Sequence, residues 1–332
     1  MNTNDNLIAN TISDFIAKIE NIEENKLSLI RKKYDELKSS TAETMVEYLE
    51  KLNNDLNIIH NTIVSIGNMK KSKTDETQTF QEKISDMLGG SVFRLYYRGV
   101  NKASFDDLPG IYRPGNRRSE YDLQQKIMAE LPQEFSDNAV DNMVKLQHYG
   151  CPTRLLDITK NPLVALYFAC QNHSKDGEVR VYAVADRRIK YQYDHEVKSI
   201  SKISLFRNKN LEMANIENDF IDKQSYLEEL KKNGIVVNNE IFDSYVFVAK
   251  KNNDRIIRQS GAFFITGVFG TDTNAAKESI DKFMIAKILI SKDNKHAILK
   301  TLSAIGIDKK TLFPELEIMV KECREKFDYQ ND

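Results

Sequence analysis

The pattern of hydrophobic and polar positions divides the chain into two regions of different character. Residues 1–66 contain neither Gly nor Pro, the two residues that most often interrupt helices. Apolar positions there recur in alternating steps of four and three, which is the heptad pattern of helices that pack along a narrow seam. We therefore predict that residues 1–66 are wholly helical. The seam consists of Met45, Leu49, Leu52, Leu56, Ile59, Ile63 and Ile66, and an earlier set comprises Leu27, Ile30, Tyr34 and Leu37.

Two arrangements would bury this seam. Residues 39–41 (Ser-Ser-Thr) separate the two apolar sets and form either a turn or a stutter, so the region is an antiparallel helical hairpin or one long coiled coil. A narrow seam favours self-association or contact with a protein partner. The alternative is a helical layer packed on the chain's own globular part. Residues 67–79 are polar and rich in Lys, Thr and Ser, which is typical of a linker.

From residue 80 to residue 332 the pattern changes to a mixture of strands and helices. Strands are predicted at 92–98, 178–185, 245–249, 256–268 and 283–290, and helices at 119–131, 137–149, 162–170 and from about 293 and about 314. Residues 186–242 are polar and mixed, and we predict an inserted helical segment there. Because strands and helices do not alternate regularly, we predict an α+β domain with a mixed sheet core and surrounding helices.

Composition and charge narrow the class of protein. The 332 residues carry a formal net charge of -1, so binding to nucleic acid is not indicated. No apolar run approaches the roughly 20 residues of a membrane span, and the first residues lack the pattern of a secretory signal. Three cysteines without a CxxC pair favour neither a disulfide framework nor a zinc site. We expect a cytoplasmic protein without a metal site.

The stretch from residue 147 to residue 169 concentrates polar side chains in a loop before an almost wholly apolar helix. Polar groups beside a buried helix must pair with one another or hold a ligand. We expect this loop to be both a hydrogen-bonded knot and part of a site. Its polar residues are His148, Thr153, Arg154, Asp157 and Thr159.

Two of these residues have alternative roles. His148 ends a predicted helix, where it either bonds to the terminal carbonyls or acts on a ligand. Asp157 either accepts a bidentate bond from Arg154 or Arg98, or caps the helix that follows.

A second group of candidates precedes this loop. Tyr97, Arg98 and Gly99 close the first predicted strand. An Arg followed by Gly is suited to gripping a phosphate or a carboxylate, and the alternative is an ordinary salt bridge. Arg113 is presented by a turn rich in Pro and Gly.

The third group lies near residue 258. On the predicted strand 256–268, Arg258 and Gln259 face opposite sides, and Gly261 allows close approach to the backbone. Gln259 either contacts an amide or a ribose of a ligand, or lies satisfied in the core. The sequence lacks GxGxxG, Walker, HExxH and GxSxG motifs, so the common glycine-rich routes to nucleotide binding are not supported.

Taken together, these motifs resemble the FRG domain family, which is named after a Phe/Tyr-Arg-Gly triplet and occurs in bacteria and their phages. The resemblance extends over about residues 80–320 and does not include residues 1–79. The motifs that carry it are Tyr97-Arg98-Gly99, Gln147-His148-Tyr149-Gly150, Pro152-Thr153-Arg154-Leu155-Leu156-Asp157, Asn161-Pro162, Ala165-Leu166-Tyr167-Phe168-Ala169, Arg255 with Gln259, Gly261-Ala262-Phe263, and Leu312-Phe313-Pro314-Glu315-Leu316.

The order of these motifs also resembles ADP-ribosyltransferase-like folds. That resemblance implies that Arg98 holds the phosphates or the ribose of NAD and that a later carboxylate stabilises an oxocarbenium ion. Gln259 stands nearest the place of that carboxylate but lacks its negative charge, so Asp157 is the alternative source. We expect Arg98 and Arg154 to hold negative charge, and His148 and Gln259 to orient the ligand.

Two classes of function therefore stay open at this point. The first is an ADP-ribosyltransferase-like effector, a glycosyltransferase that uses NAD. The second is a non-catalytic module that binds a nucleotide or a protein in a bacterial or phage defence or toxin context. Expected partners are a small anionic ligand and, through the N-terminal helices, a protein or a second copy, but no membrane. The catalytic candidates are Arg98, His148, Asp157 and Gln259, and the ligand-binding candidates are Tyr97, Gly99, Arg113, Thr153, Arg154 and Arg258.

Overall fold

A computed structural model describes residues 7–29, 32, 93–113, 120–205, 223–232, 239–269 and 272–314. Within these residues, eight strands form one mixed sheet in the order β1-β8-β4-β2-β3-β7-β6-β5. The strands are β1 (Leu7–Ala9), β2 (Phe93–Val100), β3 (Leu155–Thr159), β4 (Gly177–Ala185), β5 (Ile189–Tyr191), β6 (Ser244–Val248), β7 (Gly261–Thr266) and β8 (Met284–Ile290). The α+β class predicted from the sequence is confirmed.

Helices accompany this sheet along the described parts of the chain. They are α1 (Ile12–Asn21), α2 (Glu120–Glu130), α3 (Ala139–His148), α4 (Pro162–Ala169), α5 (His195–Ile203), α6 (Lys223–Lys232), α7 (Asp254–Arg258), α8 (Thr273–Asp281), α9 (Lys292–Ala304) and α10 (Lys309–Leu312). Shorter helical turns are a π-helical one at Ile22–Leu27 and 3-10 ones at Gly110–Tyr112, Pro132–Glu134, Asp186–Arg188 and Asn239–Phe242.

Strand β2 lies in the middle of the sheet and pairs very unequally with its two neighbours. Its ladder with β4 runs from Phe93 opposite Ala185 to Val100 opposite Glu178. Its ladder with β3 contains only the pair Tyr97 and Thr159. Backbone groups of β3 that face β2 beyond this pair therefore need other hydrogen-bond partners.

Helix α4 packs directly on the backbone of β2. Its start is set by Asn161, whose side chain accepts a hydrogen bond from the Leu163 amide, and by Pro162 in the first turn. A Cβ atom at Gly99 would lie 1.8 Å from the carbonyl oxygen of Ala165. Only glycine permits this approach, so the third residue of the Tyr-Arg-Gly triplet is required by packing.

Most of the predicted strands and helices are confirmed, and the prediction of a strand over 256–268 is wrong in its first half. The Asn253 side chain accepts hydrogen bonds from the amides of Arg255 and Ile256, which caps α7 instead. Ser260 then turns the chain with a φ of 47°, and β7 begins only at Gly261. Asparagine is among the best N-caps, and this local interaction outweighs the β-branched residues that favour a strand.

The prediction that residues 1–66 are wholly helical is wrong at its start. Leu7–Ala9 forms β1, which pairs in parallel with Ile288–Ile290 of β8. Three residues are too few to show a period of two along the sequence. The apolar seam of residues 45–66, the linker 67–79 and the helix from about residue 314 onward lie outside the described residues, so association through the seam stays a prediction.

The inserted segment contains both kinds of element. The described part of residues 186–242 holds helices α5 and α6 but also strand β5, which pairs in parallel with β6. Residues 206–222 and 233–238 of this segment lie outside the described residues. Among the described residues, no helix combines the length and the apolar character needed to cross a membrane.

Candidate functional site

A buried carboxylate organises the polar side chains on one face of the central strands. Asp107 is 0% exposed. Its Oδ1 atom accepts a hydrogen bond from Arg98 Nε at 3.1 Å and lies 2.6 Å from Arg180 Nη1. Its Oδ2 atom accepts from the Tyr182 hydroxyl at 2.6 Å. Arg98 and Arg180 lie directly opposite each other on β2 and β4, so Asp107 offsets the repulsion between two adjacent cations.

Arg180 fastens the loop after β2 to the sheet. Its Nε atom donates to Glu178 at 2.6 Å, and its Nη2 atom donates to the carbonyl oxygens of Phe105 and Ala103 at 2.5 and 3.2 Å. Burial alone would lower the pKa of Arg180, but the negative charges of Asp107 and Glu178 raise it overall. Arg180 is therefore a fixed, charged part of the structure.

Arg98 connects this buried network to the surface. Its Nη1 atom donates to the backbone carbonyl of Asp157 at 2.7 Å, where β2 and β3 have parted, and its side chain is 15% exposed. The alternative of a salt bridge applies to Arg98, with Asp107 as its partner. The expectation that the Asp157 carboxylate holds Arg98 or Arg154 is corrected, because Asp157 bonds Arg98 through its carbonyl oxygen. Asp157 does not cap α4 either, since Asn161 does so.

The exposed carboxylate of Asp157 is held by a short chain of hydrogen bonds. Its Oδ2 atom accepts from Gln147 Nε2 at 2.8 Å. Gln147 Oε1 accepts from the Thr153 hydroxyl at 2.6 Å, and the oxygen of that hydroxyl accepts from the Leu155 amide at 3.1 Å. Thr153 is fully buried. These bonds form the hydrogen-bonded knot that the sequence predicted, but Leu155 and Asp157 lie on strand β3 and not in a loop as expected.

Arg113 lies close to this group. The turn that carries it is fixed by a bond from the Ile111 amide to the Thr153 carbonyl at 3.1 Å, and Arg113 Nε donates to the Leu108 carbonyl at 3.2 Å. The Arg113 side chain reaches the surface. Partial burial and the positive charge of Arg98 lower the pKa of Arg113, although nearby carboxylates act in the opposite direction. No salt bridge joins Arg113 to a carboxylate in the described part of the chain.

Arg154 has a structural role instead. It is 5% exposed, its Nη2 atom lies 2.6 Å from Glu120 Oε2, and its Nη1 atom donates to the Gly267 carbonyl at 2.8 Å and to the Tyr112 hydroxyl at 3.1 Å. These contacts tie α2 to the ends of β3 and β7. The expectation that Arg154 holds the charge of a ligand is therefore corrected.

His148 and Gln259 make other contacts. The His148 ring packs against Tyr149 and lines a cavity of about 430 Å³ whose lining includes none of Arg98, Arg113 and Asp157. The Gln259 amide donates to the Leu312 carbonyl at 3.1 Å.

Arg258 is exposed on α7 and not on a strand, so it does not face the side of the sheet opposite Gln259 as predicted. Tyr97, a further ligand-binding candidate, is 4% exposed and belongs to the core that includes α4. Of the predicted candidates, the described contacts therefore link Arg98, Thr153 and Asp157, with Arg113 near them.

The comparison with known families decides the identity of this region. The family model of the FRG domain matches residues 93–178. This chain contains an FRG domain. No curated protein and no solved structure matches the chain. The matched segment carries Arg98, Asp107, Arg113, Gln147 and Asp157, whereas Arg258 and Gln259 lie outside it.

Sequence reasoning missed two residues that organise the candidate site. Asp107 stands in a loop and has no distinctive spacing from Arg98, so nothing in the sequence pairs them. Arg180 had a usable signal, because it interrupts the apolar run Val179 to Val184 in a strand buried on both faces. A charge in such a place requires a partner. Among the described residues, no group of three or more His, Cys, Asp or Glu side chains is arranged to hold a metal ion.

Asp281, at the end of α8, adds a second negative charge near Asp107. Its Oδ1 atom is buried and has no hydrogen-bond partner among the described residues. Burial and the negative charge of Asp107 raise the pKa of Asp281 to about 6. The folded state therefore binds the proton of Asp281 more tightly than the unfolded state does. The stability of the folded protein due to this proton is lost as the pH rises through about 6.

We therefore expect Asp281→Asn to stabilise the protein above pH 6 and to have little effect near pH 4, where wild-type Asp281 is protonated in the folded state. The expected gain at pH 7.5 is about 1–2 kcal/mol, reduced for partial exposure to solvent. Urea unfolding at several pH values measures it. Exposed Asp137→Asn serves as control and should change stability by less than about 0.5 kcal/mol. A variant less stable than wild type at pH 7.5 contradicts this interpretation.

Proposed function

We propose that the FRG domain binds a small anionic ligand of the phosphate class at Arg113 and Arg98. The observation that carries this proposal is the environment of Arg113. This side chain reaches the surface and donates to the carbonyl of Leu108, the residue after the Asp107 that binds Arg98. No carboxylate of the described residues forms a salt bridge with Arg113. An anion placed there would gain attraction from both groups and would remove the repulsion between them.

Arg98 is suited to this role because its position is already fixed. It uses Nε for Asp107 and Nη1 for the Asp157 carbonyl, while its Nη2 atom donates to none of the described residues. A side chain held in place before binding loses little conformational freedom when a ligand arrives. The buried network thus supports the surface site.

Substitution Arg113→Ala should weaken the binding of adenosine monophosphate by at least tenfold, since a charge-assisted contact to the phosphate is lost. Isothermal titration calorimetry measures the affinity. Arg94→Ala is the control, because Arg94 lies on the same strand as Arg98, in an exposed pair with Asp186. Equal affinities of wild type and Arg113→Ala would remove the basis of the proposal.

A second candidate function is transfer of ADP-ribose from NAD, and the exposed Asp157 carboxylate favours it. In such a reaction the bond between ribose C1 and nicotinamide breaks, and its electron pair leaves with nicotinamide. A nucleophile of an acceptor then bonds to C1 and releases its proton. Asp157 would stabilise the positive charge on the ribose. Gln259 is not required for this step, since its amide is bound to the Leu312 carbonyl.

Release of nicotinamide from NAD, followed by chromatography, distinguishes the two functions. An enzyme should lose about 100-fold in rate on Asp157→Asn, in the range typical of removing one electrostatic stabiliser, and Arg94→Ala should be unaffected. Wild-type protein that binds adenosine monophosphate but releases no nicotinamide is a non-catalytic binding module.

A further inference from the structure

We infer that the ligand of this site carries a hydroxyl group next to its anionic group, as phosphorylated sugars and nucleotides do. The inference rests on the proposed function and specifies the ligand further. It follows from the way in which the Gln147 side chain presents the carboxylate of Asp157 beside the two guanidinium groups.

The direction of each hydrogen bond in this chain is determined. The Asp157 carboxylate can only accept, so Gln147 turns its NH₂ group toward Asp157 Oδ2 and its Oε1 toward Thr153, whose hydroxyl donates to it. The Leu155 amide donates to the oxygen of the same hydroxyl. All members of the chain are therefore satisfied in one arrangement.

This chain of hydrogen bonds begins in the core and ends at the surface. Thr153 is fully buried and Gln147 is partly buried. Turning the Gln147 amide around would set its oxygen against the Asp157 carboxylate, and two acceptors that face each other without a hydrogen between them cost free energy. Asp157 is therefore held as an oriented acceptor before any ligand binds, and Gln147 is its positioning residue.

Only one oxygen of Asp157 is used by this chain. Oδ2 accepts from Gln147, whereas Oδ1 accepts from none of the described residues, and the side chain is exposed. The charge of Asp157 is close enough to Arg113 to affect its titration. An anion without a hydroxyl group would be repelled by Asp157 when it binds the guanidinium groups, whereas a ligand with a neighbouring hydroxyl would donate a hydrogen bond to Oδ1. The site therefore distinguishes the two kinds of ligand by repulsion as well as by attraction.

Two probes with the same phosphate monoester group test this inference, namely ribose 5-phosphate and ethyl phosphate. Wild-type protein should bind ribose 5-phosphate at least tenfold more tightly, which is the ratio expected for one hydrogen bond to a charged group. Asp157→Ala should bring the ratio close to one and should not weaken the binding of ethyl phosphate, because a repelling charge is removed.

Gln147→Leu should also lower the ratio, since Asp157 is no longer held in place. Gln171→Leu is the matched control, because Gln171 is exposed just beyond the end of α4 and its side-chain amide donates to the Tyr167 carbonyl of that helix. The ratio of this variant should equal that of wild type. If Gln147→Leu fails to fold, the exposed Asp157→Ala variant still provides the test.

Three results would overturn the inference. Equal binding of the two probes by wild type shows that no hydroxyl is recognised, and the proposed anion site stands. An unchanged ratio in Asp157→Ala shows that another group recognises the hydroxyl. Binding of neither probe, with Arg113→Ala indistinguishable from wild type toward adenosine monophosphate, removes the proposed function together with the inference.

Discussion

The need to neutralise two adjacent arginines inside the sheet governs the rest of this structure. Arg98 and Arg180 face each other on neighbouring strands, and the fully buried Asp107 carboxylate contacts both. Removing one partner of such a group leaves uncompensated buried charge. The loop after β2 must therefore fold back onto the sheet to deliver Asp107, which also places Arg113 near Arg98.

The three residues of the Tyr-Arg-Gly triplet satisfy three different constraints. Tyr97 fills the core, Arg98 joins Asp107 to the Asp157 carbonyl, and Gly99 leaves room for the backbone of α4. The candidate site thus depends on packing as much as on charge. The side chains that could meet a ligand are the outer ends of a network whose inner part holds the fold together.

The sequence predicted the α+β class, most helices and strands, and the hydrogen-bonded knot, because these follow from local periodicity and caps. The sequence could not predict with which acidic side chain each arginine forms its salt bridge. Arg154 pairs with Glu120 and Arg98 with Asp107, and both choices depend on how distant segments pack. Strand β1 was missed because three residues show no period, and α7 because the cap at Asn253 outweighed strand propensity.

Asp107 and Arg98 act as one unit, and a double-mutant cycle in the free energy of unfolding measures the coupling between them. Asp107→Asn and Arg98→Gln should each be strongly destabilising, by about 3 kcal/mol. The double variant should lose clearly less than the sum, with a coupling energy of about 2 kcal/mol. Effects that add to within about 0.5 kcal/mol would show that the two groups act independently, which contradicts a shared role.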